Sequence, residues 1–375
     1  MKINDRMLSS TERAVFALRS LYASYGYSQY KMGKFEEYDL YAENKSFLVS
    51  DSIITFTGSG GKLLALKPDV TLSIVKSTKD VPGTVNKVYY NENVYRAKDG
   101  DRDFGEIMQA GLECIGDVDE YSLSEVVMLA AKSLSTISED FILDISHLGI
   151  VAEALDALSV SASSRGKILS AISEKNLHGA LSVCQEEGVP EEKTALLQKI
   201  MTSYGEPNAV LSEIEPHLAT EAGKAAAKEL RKIFSMLGED VTKEKIKIDF
   251  SVAGDMNYYS GISLNGFIKG ISKSVLSGGE YNNLLRKMGR KSGAVGFALY
   301  LDLLSELEAD GEKYDVEALI IYDEKTDLSA LRRVADRFAS EGKSVSAQKS
   351  IPEKMRYKQL MRMTESGVEI IEGLA

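Results

Sequence analysis

Gln109-Ala110-Gly111-Leu112-Glu113-Cys114-Ile115-Gly116 is the stretch on which the fold turns. Gln109, Gly111 and Glu113 fall at period two with apolar Ala110, Leu112 and Cys114 between them, so a β-strand sorts the two sets onto opposite faces of a sheet. Upstream, 85–95 alternates and is rich in β-branched and aromatic residues, while 97–103 is polar and charged. The pattern predicts two antiparallel strands, 85–95 and 106–116, flanking a long loop. Arg96 ends the first strand, while Gln109, Gly111 and Glu113 share one face of the second. On a buried sheet such a polar face requires a ligand; on the outward face of an antiparallel sheet it is merely solvated. Both readings stand at this point.

Just before these strands, Leu66-Lys67-Pro68-Asp69-Val70-Thr71 sets a carboxylate and a hydroxyl two residues apart behind a rigid proline, a compact pair suited to an α-ammonium group. Gly58-Ser59-Gly60-Gly61 separates strand-like 52–57 and 62–66 and reads as a hairpin turn. It is not a phosphate loop, because a Walker A motif needs glycine where Phe56 stands and Ser or Thr where Leu63 stands. Residues 10–25 carry Val15, Phe16, Leu18, Leu21 and Tyr22 at helical spacing before Gly26, predicting an amphipathic helix. Further on, 123–136 reads as a helix and 142–145 as a strand. From 148 to 243 the pattern is a chain of helices broken at Gly179, Gly188-Val189-Pro190, Gly205-Glu206-Pro207 and Gly223. Strand character returns at 247–252, 260–271 and 274–276, followed by expected helices at 281–288 and 295–308. After the connector 309–313, a β-α-β-α-β unit is expected over 316–322, 328–341, 344–348, 354–365 and 369–371.

Composition narrows the function. Across 375 residues, Lys+Arg 45 against Asp+Glu 56 gives a net charge of −11 and a pI near 5.1, a field that repels polyanions. Hydrophobic content of 44% and charged content of 27% are ordinary globular values and exclude disorder and fibrous repeats. No stretch approaches the ~20 apolar residues of a membrane span, and the first residues lack an apolar signal core, so a cytoplasmic location is expected. Two cysteines, Cys114 and Cys184, exclude a disulfide framework or a cysteine-type zinc site. The three histidines, His147, His178 and His217, share no metal-ligand spacing. No cofactor and no metal are expected.

Taken in order, these segments resemble the histidyl-tRNA synthetases and their paralogue family, the regulatory subunits of ATP phosphoribosyltransferase. Gly26-Tyr27 and Phe35-Glu36 to Asp39-Leu40-Tyr41 are similar to class II motif 1 and the segment just after it. Leu66 to Thr71 looks like the family's L-R-P-E/D-x-T element. Tyr89 to Gly116 resembles motif 2 and ends on its Q-x-G-x-E-x-x-G. Asp249-Phe250 with Asn257-Tyr258-Tyr259-Ser260-Gly261 is similar to the histidine-specific D-Y-Y-x-G signature. Gly278-Gly279-Glu280-Tyr281-Asn282-Asn283-Leu284 with Ala294-Val295-Gly296-Phe297-Ala298 resembles motif 3. The resemblance covers nearly the whole chain, with a helical insertion between motifs 2 and 3.

It implies an α+β fold: a class II synthetase-like antiparallel sheet flanked by helices. The expected domains are a first core part at 1–147, the insertion at 148–243, a second core part at 244–310, and a truncated anticodon-binding-like α/β domain at 314–375. It also implies histidine as ligand, with Asp69 and Thr71 on the ammonium, Gln109 and Glu113 on the ammonium or imidazole, Arg96 on the carboxylate, and Tyr258 and Tyr259 walling the ring. Solvated strands, packing tyrosines and a structural Arg96–Glu113 pair are the plainer accounts of the same residues.

Departures from the family separate its two branches. Leu303 stands where the motif 3 arginine of a synthetase clamps the ATP triphosphate, Gly254 where the histidine-specific arginine falls, Gly33 at the motif 1 proline and Gly105 at a frequent motif 2 arginine, although Arg102 remains in the loop. Losing transition-state guanidinium groups costs orders of magnitude in rate. The C-terminal unit is short, and its Lys349, Lys354, Arg356, Lys358 and Arg362 suit solvated faces as well as tRNA. The expectation is therefore a non-catalytic regulatory subunit in histidine biosynthesis. It would activate the short-form ATP phosphoribosyltransferase catalytic subunit, mediate histidine feedback, and form a homodimer within a hetero-oligomer, without tRNA. A divergent histidyl-tRNA synthetase or another aminoacyl-adenylate ligase is the competing reading, and a free amino-acid-sensing module a third.

Overall fold

The structure, a computed structural model, describes residues 8–48, 52–97, 104–238, 243–253, 256, 258–310, 314–364 and 367–373. Its strands are β1 (Ser28–Gln29), β2 (Phe35–Glu37), β3 (Thr55–Thr57), β4 (Leu63–Leu66), β5 (Val85–Ala97), β6 (Phe104–Gly116), β7 (Phe141–His147), β8 (Tyr204–Gly205), β9 (Ile246–Asp249), β10 (Ile262–Ile268), β11 (Leu276–Glu280), β12 (Gly293–Tyr300), β13 (Val316–Ile321), β14 (Val345–Gln348), β15 (Tyr357–Thr364) and β16 (Gly367–Gly373). The helices are α1 (Ser10–Ser24), α2 (Tyr38–Ala42), α3 (Thr71–Ser77), α4 (Glu120–Ile137), α5 (Leu148–Leu158), α6 (Ala162–Ser173), α7 (Leu177–Glu186), α8 (Ala195–Thr202), α9 (Pro207–Ile214), α10 (Glu221–Met236), α11 (Asn282–Lys287) and α12 (Leu328–Ser340).

Residues 11–304 make one compact unit around a nine-stranded sheet of order β1-β5-β6-β12-β11-β10-β7-β9-β8. The sheet is antiparallel at its centre, with parallel pairs β1/β5 and β7/β9. β5 and β6 run in continuous register from Val85↔Gly116 to Ala97↔Phe104. Alternation in β6 works as the sequence implies. Ala110, Leu112 and Cys114 join a core with α1, α4 and the insertion helices, while Ile107 and Ile115 belong to a second core with Tyr90, Val70, Leu72 and Ile74. Both faces of this strand are thus covered. The insertion packs into the first core and adds β8 to the sheet edge.

The hairpin expected around Gly58–Gly61 is present: β3 and β4 pair at Thr57↔Leu63, and Gly60 and Gly61 take φ of +87° and +79°. Two expected helices are strands instead. Residues 295–308 contain most of β12, which lies between β6 and β11, followed by a 3-10 segment, Leu301–Asp310. The apolar run Ala294 to Leu299, buried except at Ala298, lies at the sheet centre, where a short apolar stretch has no helical period to show. In the unit comprising 305–375, residues 354–365 form β15, so the order is β14-β13-β15-β16 with α12 on one face. Met361 and Met363 alternate into that small core with Phe338. The strand expected at 274–276 begins at Leu276 and runs through the glycine pair to Glu280.

Candidate functional site: a buried amino-acid-sized cavity

A cavity of about 210 Å³ opens over the polar face of β6, and Asp69, Thr71, Arg96, Gln109, Glu113, Tyr258 and Tyr259 all line it. The fold brings together every residue singled out above for the ligand. None of the sheet-borne polar groups is solvated: Glu113 is 2% exposed, Gln109 6% and Arg96 8%. The outward-face account of this strand therefore does not hold.

Glu113 is the hub. Its Oε1 accepts from Thr71 Oγ1 (2.8 Å) and its Oε2 from the Tyr281 hydroxyl (2.5 Å). Burial pushes its pKa up to about 8 despite those two donors, with the Asp69 charge adding to the rise. Thr71 thus serves first to orient Glu113. Asp69 has a second task as well, its Oδ1 accepting the Leu72 N–H (2.8 Å) at the start of α3. Burial raises the Asp69 pKa too, opposed by that N–H and by the charge of Arg96.

Arg96 differs from its neighbours. Its guanidinium sits 5.8 Å over the Tyr300 ring, and among the described residues it makes no ion pair. The structural Arg96–Glu113 salt bridge is absent, for Glu113 is satisfied by hydroxyls. A buried, lining guanidinium without a carboxylate partner suits an incoming carboxylate, which it can grip bidentately. Tyr258 and Tyr259 meet edge to face at 4.7 Å, and Tyr258 lies 6.0 Å from both Phe47 and Tyr281. Together these rings make an aromatic wall.

Beside the expected ligand residues the cavity is lined by Tyr90, Tyr281 and Gly296, and Gly111 lies on the same strand face as Gln109 and Glu113. A Cβ at Gly111 would stand 2.6 Å from the Tyr90 hydroxyl, so this glycine lets the ring cross the strand. The cross-strand register sets Tyr90 directly opposite Gly111. Leu303 packs against the apolar core. Gly105 lies in β6 opposite Arg96. Gly254, Asn257 and Arg102 lie outside the described residues. The hairpin glycines bond to their own turn, Gly58 N–H to the Lys62 carbonyl (2.8 Å). In the C-terminal unit Arg356 pairs with Asp315 (2.8 Å). No helix among the described residues is long and apolar enough to cross a membrane.

Comparison with known proteins agrees with the motif order. Residues 3–304 match the histidyl-tRNA synthetase family profile. A protein of Caldanaerobacter subterraneus named ATP phosphoribosyltransferase regulatory subunit is 30% identical over 76% of this chain and 75% of its own length. Its namesake in Oceanobacillus iheyensis is 27% identical over 79% of this chain and 73% of that one. Among solved structures, an ATP phosphoribosyltransferase regulatory subunit/histidyl-tRNA synthetase from Bacillus halodurans superposes with a TM-score of 0.73 at 23% identity, covering 93% of this chain and 90% of that one. An ATP phosphoribosyl transferase (HisG:HisZ) complex from Thermotoga maritima gives a TM-score of 0.62 at 20% identity, covering 80% and 98%. With a family match spanning both halves of the class II core, the chain belongs to the histidyl-tRNA synthetase family, in the branch of the ATP phosphoribosyltransferase regulatory subunits.

Proposed function

We propose that this chain is a non-catalytic regulatory subunit of ATP phosphoribosyltransferase that binds free histidine in the β6 cavity and, docked as a homodimer on the short-form catalytic subunit in the cytoplasm, permits its activity and relays feedback. The observation that carries the proposal is a cavity lined by Asp69, Arg96 and Glu113, with a packed leucine, Leu303, at the place that resembles the family's phosphate-clamping arginine. Arg96 is buried and unpaired among the described residues, Asp69 and Glu113 supply carboxyls, and Leu303 is spent on packing. A leucine offers a triphosphate neither charge nor donor, so adenylate formation lacks its main electrostatic support.

In this reading the ligand's carboxylate meets Arg96, its ammonium meets Glu113 and Asp69, and its ring packs on Tyr258 and Tyr259. Bringing an ammonium beside Glu113 favours the ionised carboxylate, so binding drives a proton off that group. The relatives' name supplies the partner, and the cavity supplies the effector's chemistry. The test pairs two measurements on the purified chain: histidine affinity by calorimetry, and histidine-dependent ATP–pyrophosphate exchange. Binding without exchange is expected; exchange above a no-enzyme control would make the chain a synthetase.

A further inference from the structure

Tyr258 and Tyr259 stand on an irregular segment just ahead of β10, and a ligand wall is only as well placed as the backbone beneath it. One residue of β11 holds that backbone. The Glu280 carbonyl accepts from Ser260 N–H (2.9 Å), and its Oε2 accepts from Ile262 N–H (3.1 Å). The carboxylate occupies the space that Gly261 leaves open, since a Cβ there would stand 1.7 Å from Oε2. Its Oε1 accepts from Asn282 Nδ2 (3.2 Å). Asn282 in turn donates its N–H to Ser260 Oγ (3.1 Å) and accepts Ala294 N–H on its Oδ1 (2.8 Å). Between them, Tyr281 donates to Glu113. Three consecutive residues therefore connect the tyrosine segment, β12 and the hub of the cavity.

Glu280 itself is 9% exposed and does not line the cavity. We propose that Glu280 is a positioning residue for the amino-acid pocket: its carboxylate holds Ile262 N–H through Oε2 and, through Oε1, the Asn282 that bonds Ser260, and so keeps Tyr258 and Tyr259 where a ligand's ring packs. The proposal rests on the reading of the cavity as a histidine site.

Glutamine has the same shape but turns one acceptor into a donor. In Glu280→Gln an NH₂ group would face either Ile262 N–H or the Asn282 amide. Asn282 cannot relieve the conflict by turning over, because its Oδ1 already serves Ala294. A buried donor left facing a donor loses its bond outright.

The experiment uses the full chain labelled with 3-fluorotyrosine, with the Tyr258, Tyr259 and Tyr22 signals assigned through their Phe variants, alongside histidine calorimetry. Glu280→Gln is expected to shift or broaden the Tyr258 and Tyr259 resonances and to leave that of Tyr22, whose hydroxyl bonds to Ser133, unchanged. Histidine affinity should fall about tenfold. Glu280→Asp keeps both oxygens but withdraws them by a methylene, and it carries the same expectation if the glutamine variant does not fold. A folded variant with both resonances unmoved and affinity within twofold of the unsubstituted chain overturns the proposal. If the unsubstituted chain binds no histidine, the ligand reading fails, and the fluorotyrosine resonances alone decide the role of Glu280.

Discussion

Glu113 and Gly296 face each other across the β6/β12 ladder, and the carboxylate fills the volume that a side chain at 296 would need: a Cβ there would lie 1.9 Å from Oε2. The glycine and the acid are one feature. Because Leu112 O lies 2.4 Å from the same point, a methyl cannot be absorbed by turning the carboxylate alone. Gly296→Ala should displace Glu113 from Thr71 and Tyr281, abolish measurable histidine binding, and destabilise the chain by about 2 kcal/mol. Urea unfolding and calorimetry on the one variant check both.

Protonation of Glu113 gives a signed pH effect. Its folded pKa of about 8 lies above the ordinary 4.5, so the folded chain holds this proton more tightly than the unfolded one. The stability contributed is complete below about pH 4.5 and is lost as pH rises towards 8. Asp144, raised by burial and the Asp249 charge from 3.8 to about 7, acts in the same direction. Glu113→Gln mimics the neutral acid, so its melting temperature should fall less between pH 5 and pH 8 than that of the parent, as scanning calorimetry at steps of about one pH unit would record.

Histidine binding should release a proton from the same group. Calorimetry near pH 7 in buffers of different ionisation enthalpy should return proton release for the parent and markedly less for Glu113→Gln. Equal release from both would separate Glu113 from the ammonium.

Arg96 has no ion pair to lose among the described residues, so its removal gives up the Tyr300 ring contact and its charge beside Asp69 together with the ligand's carboxylate partner. Arg96→Ala should weaken histidine at least about tenfold. Histamine, which has no carboxylate, should bind the parent and the variant alike.

Leu303 is packed rather than poised. Leu303→Arg should cost about 1–3 kcal/mol by forcing a long charged side chain against an apolar core, and it should not create ATP–pyrophosphate exchange. Chemical unfolding and an exchange assay report the two halves.

Much of this site could be read in the chain because it sits on a strand pair whose alternation is clean. Gln109 and Glu113 share a face by period alone, and the Lys67-Pro68-Asp69 turn delivers Asp69 and Thr71 to the same cavity. Glycine spacing also foretold the β3/β4 hairpin. What escaped depends on long-range packing. β12 is a central strand, so its apolar run carries neither period, and only its neighbours β6 and β11 decide its form. β15 bears Lys358 and Arg362 four apart, a spacing that helices and strands both permit, and its place beside β13 settles the matter. Tyr281 reaches Glu113 across 168 positions of sequence, and nothing local announces that contact. Glu280 stands in the chain as one residue of the stretch resembling motif 3; only the open space at Gly261 gives its carboxylate a place.

The most direct test is reconstitution of phosphoribosyl transfer with the short-form catalytic subunit from the same organism. The account predicts that ATP- and phosphoribosyl-pyrophosphate-dependent product forms much faster when this chain is added, that histidine suppresses the stimulated rate, and that Arg96→Ala stimulates equally but resists histidine. A catalytic subunit whose rate and histidine response are the same with and without this chain would contradict it.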